Sequence, residues 1–274
     1  MPELPEVEVI RMGLAPLLQG REIEAIHCFR EGLRYPFPDF SSLEGQHILS
    51  VSRRSKYLLF EISGVSLNQY LIWHLGMTGQ FHVLPKNMDA GAHEHVRIDL
   101  SDGNSLRYRD ARRFGYAGVC SKAEWESHPW HQSLGVEPLH DDFNADVLWR
   151  HCIARKTPIK NVMMQARTVV GVGNIYASES LFLAGIHPAR AAGKISRARL
   201  DVLVHAIKKT LKEAIQAGGS SISDFVQVDG KPGYFSHQFN VYGRKGQLCL
   251  RCNGEIRKIV QAGRSSFYCV GCQH

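Results

Sequence analysis

The sequence contains no run of about 18 uncharged apolar residues, the least a membrane-spanning helix needs, so nothing in it reads as a transmembrane segment. It also lacks the basic and then apolar opening of a secretory leader, because Glu3, Glu6 and Glu8 stand in that stretch. An intracellular, cytoplasmic protein is therefore expected. Low-complexity tracts and internal repeats are absent, and 44% hydrophobic with 22% charged residues is ordinary globular usage rather than that of a disordered chain. Evenly paired cysteines are lacking too. There are seven, and four crowd into the last 26 residues, which argues against a disulfide framework and for metal ligation. The scattered Cys28, Cys120 and Cys152 read as small buried apolar residues with no assigned function.

What is present suffices for two domains and a small appendage, since the chain has 274 residues. Its formal net charge of +7 fits a polyanionic partner, and would equally fit a merely basic surface. Pro5 in a first turn, followed by acidic residues, suits a helix start, and Val7, Ile10, Leu14 and Leu17 continue a helical stripe. From about 20 to 120 the character changes to short apolar runs, at 48–52, 57–62, 66–74 and 96–100. Turn signals such as Ser101-Asp-Gly-Asn separate them, which predicts antiparallel strands in a sandwich. A linker is placed near Leu134-Gly-Val-Glu-Pro-Leu. The clearest helix runs from Arg197 to Ala217, with Leu200, Leu203, Val204, Ile207, Leu211 and Ile215 on one face and Gly218-Gly219 as its stop. The polar, glycine-rich stretch from Gly218 to Tyr234 is too long for an ordinary connection and is a candidate binding loop.

The motif most specific on spacing alone is Cys249-x2-Cys252, sixteen residues, then Cys269-x2-Cys272. Two such knuckles fit one tetrahedral zinc held by four thiolates, with a redox dithiol or chance spacing as the alternative. With no open coordination position, the single Zn2+ is expected to be structural. Metal binding would supply folding energy that so small a ribbon cannot draw from a core of its own. Arg257, Lys258 and Arg264 between the knuckles form a basic face that suits phosphate or, more plainly, solvent.

The start of the chain carries the second motif. Removal of Met1 would expose Pro2 as a secondary amine, and an α-amino group with a pKa of about 7.7 to 8 is partly neutral and nucleophilic at physiological pH. Its attack on a sugar C1′ gives an iminium, which acidifies the C2′ proton and permits loss of the 3′ phosphate. While Met1 remains, the nitrogen is an amide and cannot attack. Taken alone, Pro-Glu reads as a mere helix start.

The opening Met1-Pro-Glu-Leu-Pro-Glu-Val-Glu resembles that of the formamidopyrimidine-DNA glycosylases. So do Arg53-Arg-Ser-Lys-Tyr-Leu, His74-Leu-Gly-Met-Thr-Gly, Tyr108-Arg-Asp-Ala-Arg-Arg-Phe-Gly, Gly171-Val-Gly-Asn-Ile-Tyr-Ala-Ser-Glu, Asp229-Gly-Lys-Pro-Gly-Tyr-Phe and Val241-Tyr-Gly-Arg with the knuckles. The resemblance implies an α+β protein in three parts: an N-terminal β-sandwich with an N-terminal helix (1–134), a helix-two-turns-helix domain (135–238) whose loop 218–234 covers the lesion, and a four-cysteine zinc finger (239–274). It implies a monomeric enzyme, nucleoid-associated when bound to damaged double-stranded DNA, that excises 8-oxoguanine and formamidopyrimidines and then nicks the strand by β- and δ-elimination. By position, Pro2 is the Schiff-base nucleophile, Glu3 the acid and base at the deoxyribose, and Lys56 the proton-transfer and phosphate lysine. Arg264 matches the residue of the δ-elimination step, although its very high pKa makes a phosphate clamp physically easier.

Met77, Arg112 and Phe114 match the trio that fills the void left by an extracted base, where an isolated Met and Phe would read as core. His93, Arg113, Lys156, Lys160 and Asn174 match phosphate-contacting positions. Asn174 also opens a helix behind glycines, where backbone amides face an anion. Two residues depart from the family pattern. Met164 stands where an acidic residue is usual and Ser223 where Lys or Arg is usual, which puts an orienting contact and the lesion preference in question; Ser55 is read as neutral. The rivals are an endonuclease VIII-like oxidised-pyrimidine glycosylase, disfavoured by Leu4-Pro5 and the complete void-filling trio, and a non-catalytic zinc-ribbon protein that only holds damaged DNA.

Overall fold

Helix α1 (Leu4–Leu18) begins where Glu3, in extended conformation, donates its N–H to Glu6 Oε2 at 2.8 Å. This is a capping box that fastens the chain start to the first turn. Leu4, Val7, Ile10, Leu14 and Leu18 form its buried stripe. Leu17, expected in that stripe, is instead 43% exposed, because a step of three from Leu14 falls at the edge of the face that a step of four continues. The structure, a computed structural model, describes residues 2–64, 67–220 and 233–274. The chain divides into two compact units, residues 1–132 with 218–233, and residues 133–217 with 234–274.

In the first unit α1 is followed by eight strands: β1 (Ile23–Cys28), β2 (Ile48–Arg54), β3 (Tyr57–Ile62), β4 (Gln69–His74), β5 (Gly79–Pro85), β6 (Glu94–Leu100), β7 (Asn104–Asp110) and β8 (Tyr116–Ser121). They form two antiparallel sheets, ordered β1-β6-β7-β5 and β2-β3-β4-β8, which is the expected sandwich. Aromatic side chains from both sheets lock the layers together. Trp73 lies 4.6 Å from Tyr108 and 5.2 Å from Phe81 between ring centroids, and Phe60 meets Phe81 at 5.8 Å. Such tilted and edge contacts add to plain area burial. The chain changes sheet three times, at β1 to β2, β4 to β5 and β7 to β8, so residues 75–78 and 111–115 are the two short sheet-to-sheet crossovers. After β8 come two short helices, α2 (Lys122–Ser127), capped by Ser121 and Glu124, and α3 (Pro129–Gln132), so helix begins before the linker expected near Leu134.

The second unit holds α4 (Ala145–Cys152), α5 (Ile159–Met163), α6 (Asn174–Leu183), α7 (Arg197–Gln216) and the hairpin β9 (Ile256–Gln261) and β10 (Arg264–Cys269). Helix α7 buries Leu200, Leu203, Val204, Ile207 and Leu211 as expected, whereas Ile215, in its last turn, is half-buried. Gly218 and Gly219, with φ of +76° and +83°, stop it in the left-handed region that glycine enters without strain. No helix among the described residues is long and apolar enough to cross a membrane.

The hairpin is not a free-standing ribbon. Val241, Cys249, Ile256 and Cys269 share a small core with Phe182 of α6. The buried Glu179 carboxylate on α6 accepts the backbone N–H groups of Asn240, Val241 and Tyr242 and the Asn240 amide, all between 2.8 and 3.0 Å. Replacing Glu179 by Ala strands these donors, at about 1–3 kcal/mol for each left unsatisfied by water. Urea unfolding of the zinc-loaded protein should show Glu179→Ala destabilised by about 3 kcal/mol or more, and a loss under about 0.5 kcal/mol would contradict the anchoring role.

Candidate active site and nucleic-acid interface

In the first unit, Pro2 and Glu3 are buried at the start of α1, with Glu3 only 3% exposed. The same helix braces Lys56. Glu8 Oε2 accepts Arg53 Nε at 2.8 Å, and Arg53 Nη1 reaches on to the carbonyl of Ser55 at 2.7 Å. Ser55 and Lys56 are the two-residue connection of β2 and β3, and Ser55 takes a φ of +56°, which tight hairpins require at their first position. A buried guanidinium thus ties the lysine turn to the helix that carries Pro2 and Glu3. The sequence displayed Arg53 inside its motif but gave no sign of this partner. Glu6 extends the bracing, since its Oε1 accepts both the N–H and the hydroxyl of Ser220, at 2.9 and 2.8 Å. The segment expected to cover a lesion therefore starts from the capping box of α1. Ser223 and the rest of 221–232 lie outside the described residues.

His74 faces the same end of the sandwich, paired with Tyr57 in register and with its ring tilted by 58° against the Tyr57 ring at 5.1 Å. Its Nδ1 accepts the Gly76 N–H at 3.1 Å, so the ring carries its proton elsewhere. Burial and the nearby Lys56 ammonium push the imidazole down to about 4. Gly76, with φ of +63°, turns the chain so closely that a Cβ there would overlap the backbone of Phe114. The Met77 and Phe114 crossovers are therefore in backbone contact. Met77 is half-buried, and Arg112, Arg113 and Phe114 are exposed, with the Arg112 guanidinium 5.1 Å over the Phe114 ring. The core packing that an isolated Met and Phe would suggest does not describe this edge.

His93 is exposed, in left-handed conformation with φ of +59°, between β5 and β6. A fully buried Arg107 holds the loop below it. Its Nη2 donates to the carbonyls of Pro85 and Met88 at 3.0 and 2.7 Å, its Nη1 to that of Asp89 at 2.9 Å and its Nε to Ser105 Oγ at 2.9 Å. Glu94, with no side-chain exposure, lies 3.5 Å away as counter-ion.

In the second unit Lys160 is only 1% exposed, and its ammonium donates to Asn174 Oδ1 at 2.6 Å, to Ser266 Oγ at 2.8 Å and to the Ser265 carbonyl at 3.2 Å. It joins the first residue of α6 to β10. Asn174 Nδ2 in turn reaches Tyr242 Oη at 3.4 Å. Lys156 and Arg264 are exposed, and Arg264 follows the Ala262-Gly263 turn, both of whose residues are left-handed. A concavity of about 300 Å³ is lined by Thr157, Lys160, Asn161, Met164, Arg264 and Ser266. Met164 caps α5 and packs partly against the helical core. An acidic residue there would place a negative charge beside two cations, whereas methionine leaves the concavity cationic.

The Sγ atoms of Cys249, Cys252, Cys269 and Cys272 lie within 4.8 Å of one another, with Cys252 to Cys269 at 3.4 Å and Cys249 to Cys272 at 3.9 Å. A tetrahedral zinc with about 2.3 Å bonds sets sulfurs roughly 3.8 Å apart, so the donor set fits the ion. The Arg251 N–H also donates to Cys249 Sγ at 3.4 Å, as suits a thiolate in a knuckle. Cys28, Cys120 and Cys152 contribute to no such group among the described residues.

Comparison with known proteins gives three family matches: a formamidopyrimidine-DNA glycosylase N-terminal domain over residues 1–117, a formamidopyrimidine-DNA glycosylase H2TH domain over 134–226, and a zinc finger found in FPG and IleRS over 246–274. The formamidopyrimidine-DNA glycosylase of Idiomarina loihiensis is 46% identical over 274 residues, covering all of both chains. Lactococcus lactis Fpg in complex with Fapy-dG containing DNA superposes with a TM-score of 0.90 at 32% identity, over 99% of this chain and all of that one. MutM bound to DNA containing carbocyclic 8-oxo-G gives 0.90 at 33% identity over all of both chains.

Between pH 6.5 and about 4 the unfolded chain binds a proton at residue 74 that the folded chain refuses, so His74 makes stability fall as pH falls through that window, by a total on the order of 3 kcal/mol. Melting temperatures of His74→Gln should depend less on pH there than those of the parent, and parallel curves would refute the assignment. If Arg107 holds His93 in place for a phosphate, His93→Ala and Arg107→Met should each weaken duplex-DNA affinity, and by a similar factor, at fixed salt. An Arg107→Met affinity equal to the parent's would remove that link.

Proposed function

The chain belongs to the formamidopyrimidine-DNA glycosylase family, and on that premise we propose that it excises oxidised purines from damaged double-stranded DNA as a monomer and then nicks the strand, using the amine of Pro2. The observation that carries this reading is the bracing of Pro2, Glu3 and Lys56 by one helix, through the Glu3–Glu6 box and the Glu8–Arg53–Ser55 chain. A site that must hold a sugar between an amine and two proton-handling groups needs such rigidity, because small displacements are costly in rate.

After removal of Met1, the Pro2 nitrogen attacks C1′ and displaces the damaged base. Glu3 delivers the proton that opens the sugar ring at its oxygen and later takes it back. The resulting iminium withdraws electrons from C2′. Loss of the C2′ proton then expels the 3′ phosphate, and a second elimination expels the 5′ phosphate. Lys56 serves proton transfer in the first elimination, and its ammonium also suits a flanking phosphate. Arg264 clamps the phosphate that leaves second, because a guanidinium that holds its proton so firmly is a better anion partner than acid.

Met77, Arg112 and Phe114 enter the gap left by the extracted base, with Arg112 towards the unpaired partner, while His93, Arg113, Lys156 and Asn174 hold phosphates. Lys160 supports this by orienting Asn174 and β10, and the concavity beside Arg264 has the charge for an anion. Cys249, Cys252, Cys269 and Cys272 would hold a zinc with no open coordination position, which would fix the hairpin that presents Arg264 and supply structure rather than chemistry. The division at 134/135 and 238/239 separates the catalytic sandwich from the helical phosphate-binding part and the finger.

Borohydride reduction during reaction with a duplex carrying 8-oxoguanine opposite cytosine should trap a covalent protein–DNA adduct, and acetylating the N-terminal amine should abolish it. An undiminished adduct after that block would place the nucleophile elsewhere. A preference for thymine glycol over 8-oxoguanine would overturn the assignment to oxidised purines.

A further inference from the structure

The two short crossovers of the sandwich, residues 75–78 and 111–115, meet over a single buried carboxylate. Asp110, the last residue of β7, has no solvent exposure. Its Oδ1 accepts the Thr78 hydroxyl at 2.5 Å, and its Oδ2 accepts the Gly115 N–H at 2.8 Å and the Tyr108 hydroxyl at 3.2 Å. The Thr78 oxygen, whose hydroxyl proton points at Asp110, accepts the N–H of Arg112 at 3.0 Å. The main chain of Asp110 is engaged as well. Its N–H donates to the carbonyl of His93 at 3.0 Å, and its carbonyl lies 2.8 Å from His95 Nε2 and accepts the Arg113 N–H at 3.2 Å.

We propose that Asp110, acting through the Thr78 hydroxyl, is a positioning residue that holds the Met77 crossover and the Arg112–Phe114 crossover as one wedge, rather than a group that touches DNA. The inference rests on the reading of Met77, Arg112 and Phe114 as the residues that fill the void. Neither crossover has regular structure of its own, and the backbone overlap a Cβ on Gly76 would make with Phe114 shows how closely they abut. Without the carboxylate, the buried Gly115 N–H and the half-buried Thr78 hydroxyl would lose their shared acceptor, and the two turns would relax independently. An asparagine cannot substitute fully. If its oxygen faces Gly115 N–H and Tyr108, its amide faces Thr78, whose proton then has no acceptor; the opposite orientation sets amide against N–H.

A wedge is needed to extract a base but not to process a site from which the base is already gone. The discriminating measurement is therefore the single-turnover rate on two otherwise identical duplexes, one with 8-oxoguanine opposite cytosine and one with an abasic site opposite cytosine. Asp110→Asn and Thr78→Val should each slow lesion excision by about tenfold or more while abasic-strand cleavage stays within about twofold. Thr78→Ser, which keeps the hydroxyl, should restore excision. Met77→Ala should also slow lesion excision, and adding Thr78→Val to it should cost little more, as for residues acting as a unit.

If Met77→Ala is selective but Asp110→Asn and Thr78→Val slow both substrates alike, the network only supports folding and the proposal fails. It fails equally if neither variant slows lesion excision. If Met77→Ala and Phe114→Ala themselves slow both substrates equally, the void-filling reading beneath the proposal is wrong. Thr78→Val removes no charge, so it remains informative even where Asp110→Asn folds poorly, a condition that its melting temperature reveals.

Discussion

A carboxylate removed from water must be surrounded by donors, and in this chain that demand fixes the segments which neither helix nor sheet would hold. Glu6 is met by the N–H of Glu3 and by Ser220, Glu94 by Arg107 and the Gly91 N–H, Asp110 by Thr78, Tyr108 and Gly115, and Glu179 by three consecutive backbone N–H groups with the Asn240 amide. In every case at least one donor comes from a loop, a turn or a chain end, with Arg107 and Tyr108 of β7 adding donors from the sheet. An apolar core orders strands and helices well but has no means of holding a particular carbonyl or turn residue in place. Buried charges do so at a desolvation cost, and they are spent here on the parts expected to meet DNA.

The second unit uses the same logic with cations and a metal. Lys160 is long enough to bury its stem and still reach Asn174, Ser265 and Ser266, so it links the start of α6 to the hairpin. Four thiolates and the Phe182 contact then hold the hairpin from its other end. Zinc therefore completes a fold that α6 already supports in part, instead of creating a ribbon alone. The apolar Met164 leaves the concavity beside Arg264 free of the negative charge that would compete with a phosphate.

Spacing alone revealed the zinc ligands and α7, because two knuckles and a 3.6-residue stripe are local patterns that little else produces. Four of the eight strands showed as apolar runs. The remaining four, β1, β5, β7 and β8, were hidden for a physical reason most visible in β7, where Asn104-Ser-Leu-Arg-Tyr-Arg-Asp reads as polar although Arg107, Tyr108 and Asp110 are all buried. Their hydrophilicity is offset by partners distant along the chain, which no local window detects. Leu17 failed for a smaller reason, since the last turn of α1 buries Leu18 instead.

The sequence by itself determined the chemistry available: a proline behind the initiator methionine, a carboxylate beside it, a lysine in a tight hairpin, and four cysteines spaced for one metal. Family resemblance supplied their roles. Only the tertiary structure decided which residues would be tools and which would be mounts. Lys160 and Asn174, alike in the sequence as polar residues of the phosphate-binding set, became donor and acceptor of one bond, while Asp110 and Arg53 became the fixtures for Phe114 and Lys56. The reason is that burial is not a local property. A charged side chain becomes a structural anchor only when distant segments converge to exclude water around it, and that convergence is settled by packing of the whole unit.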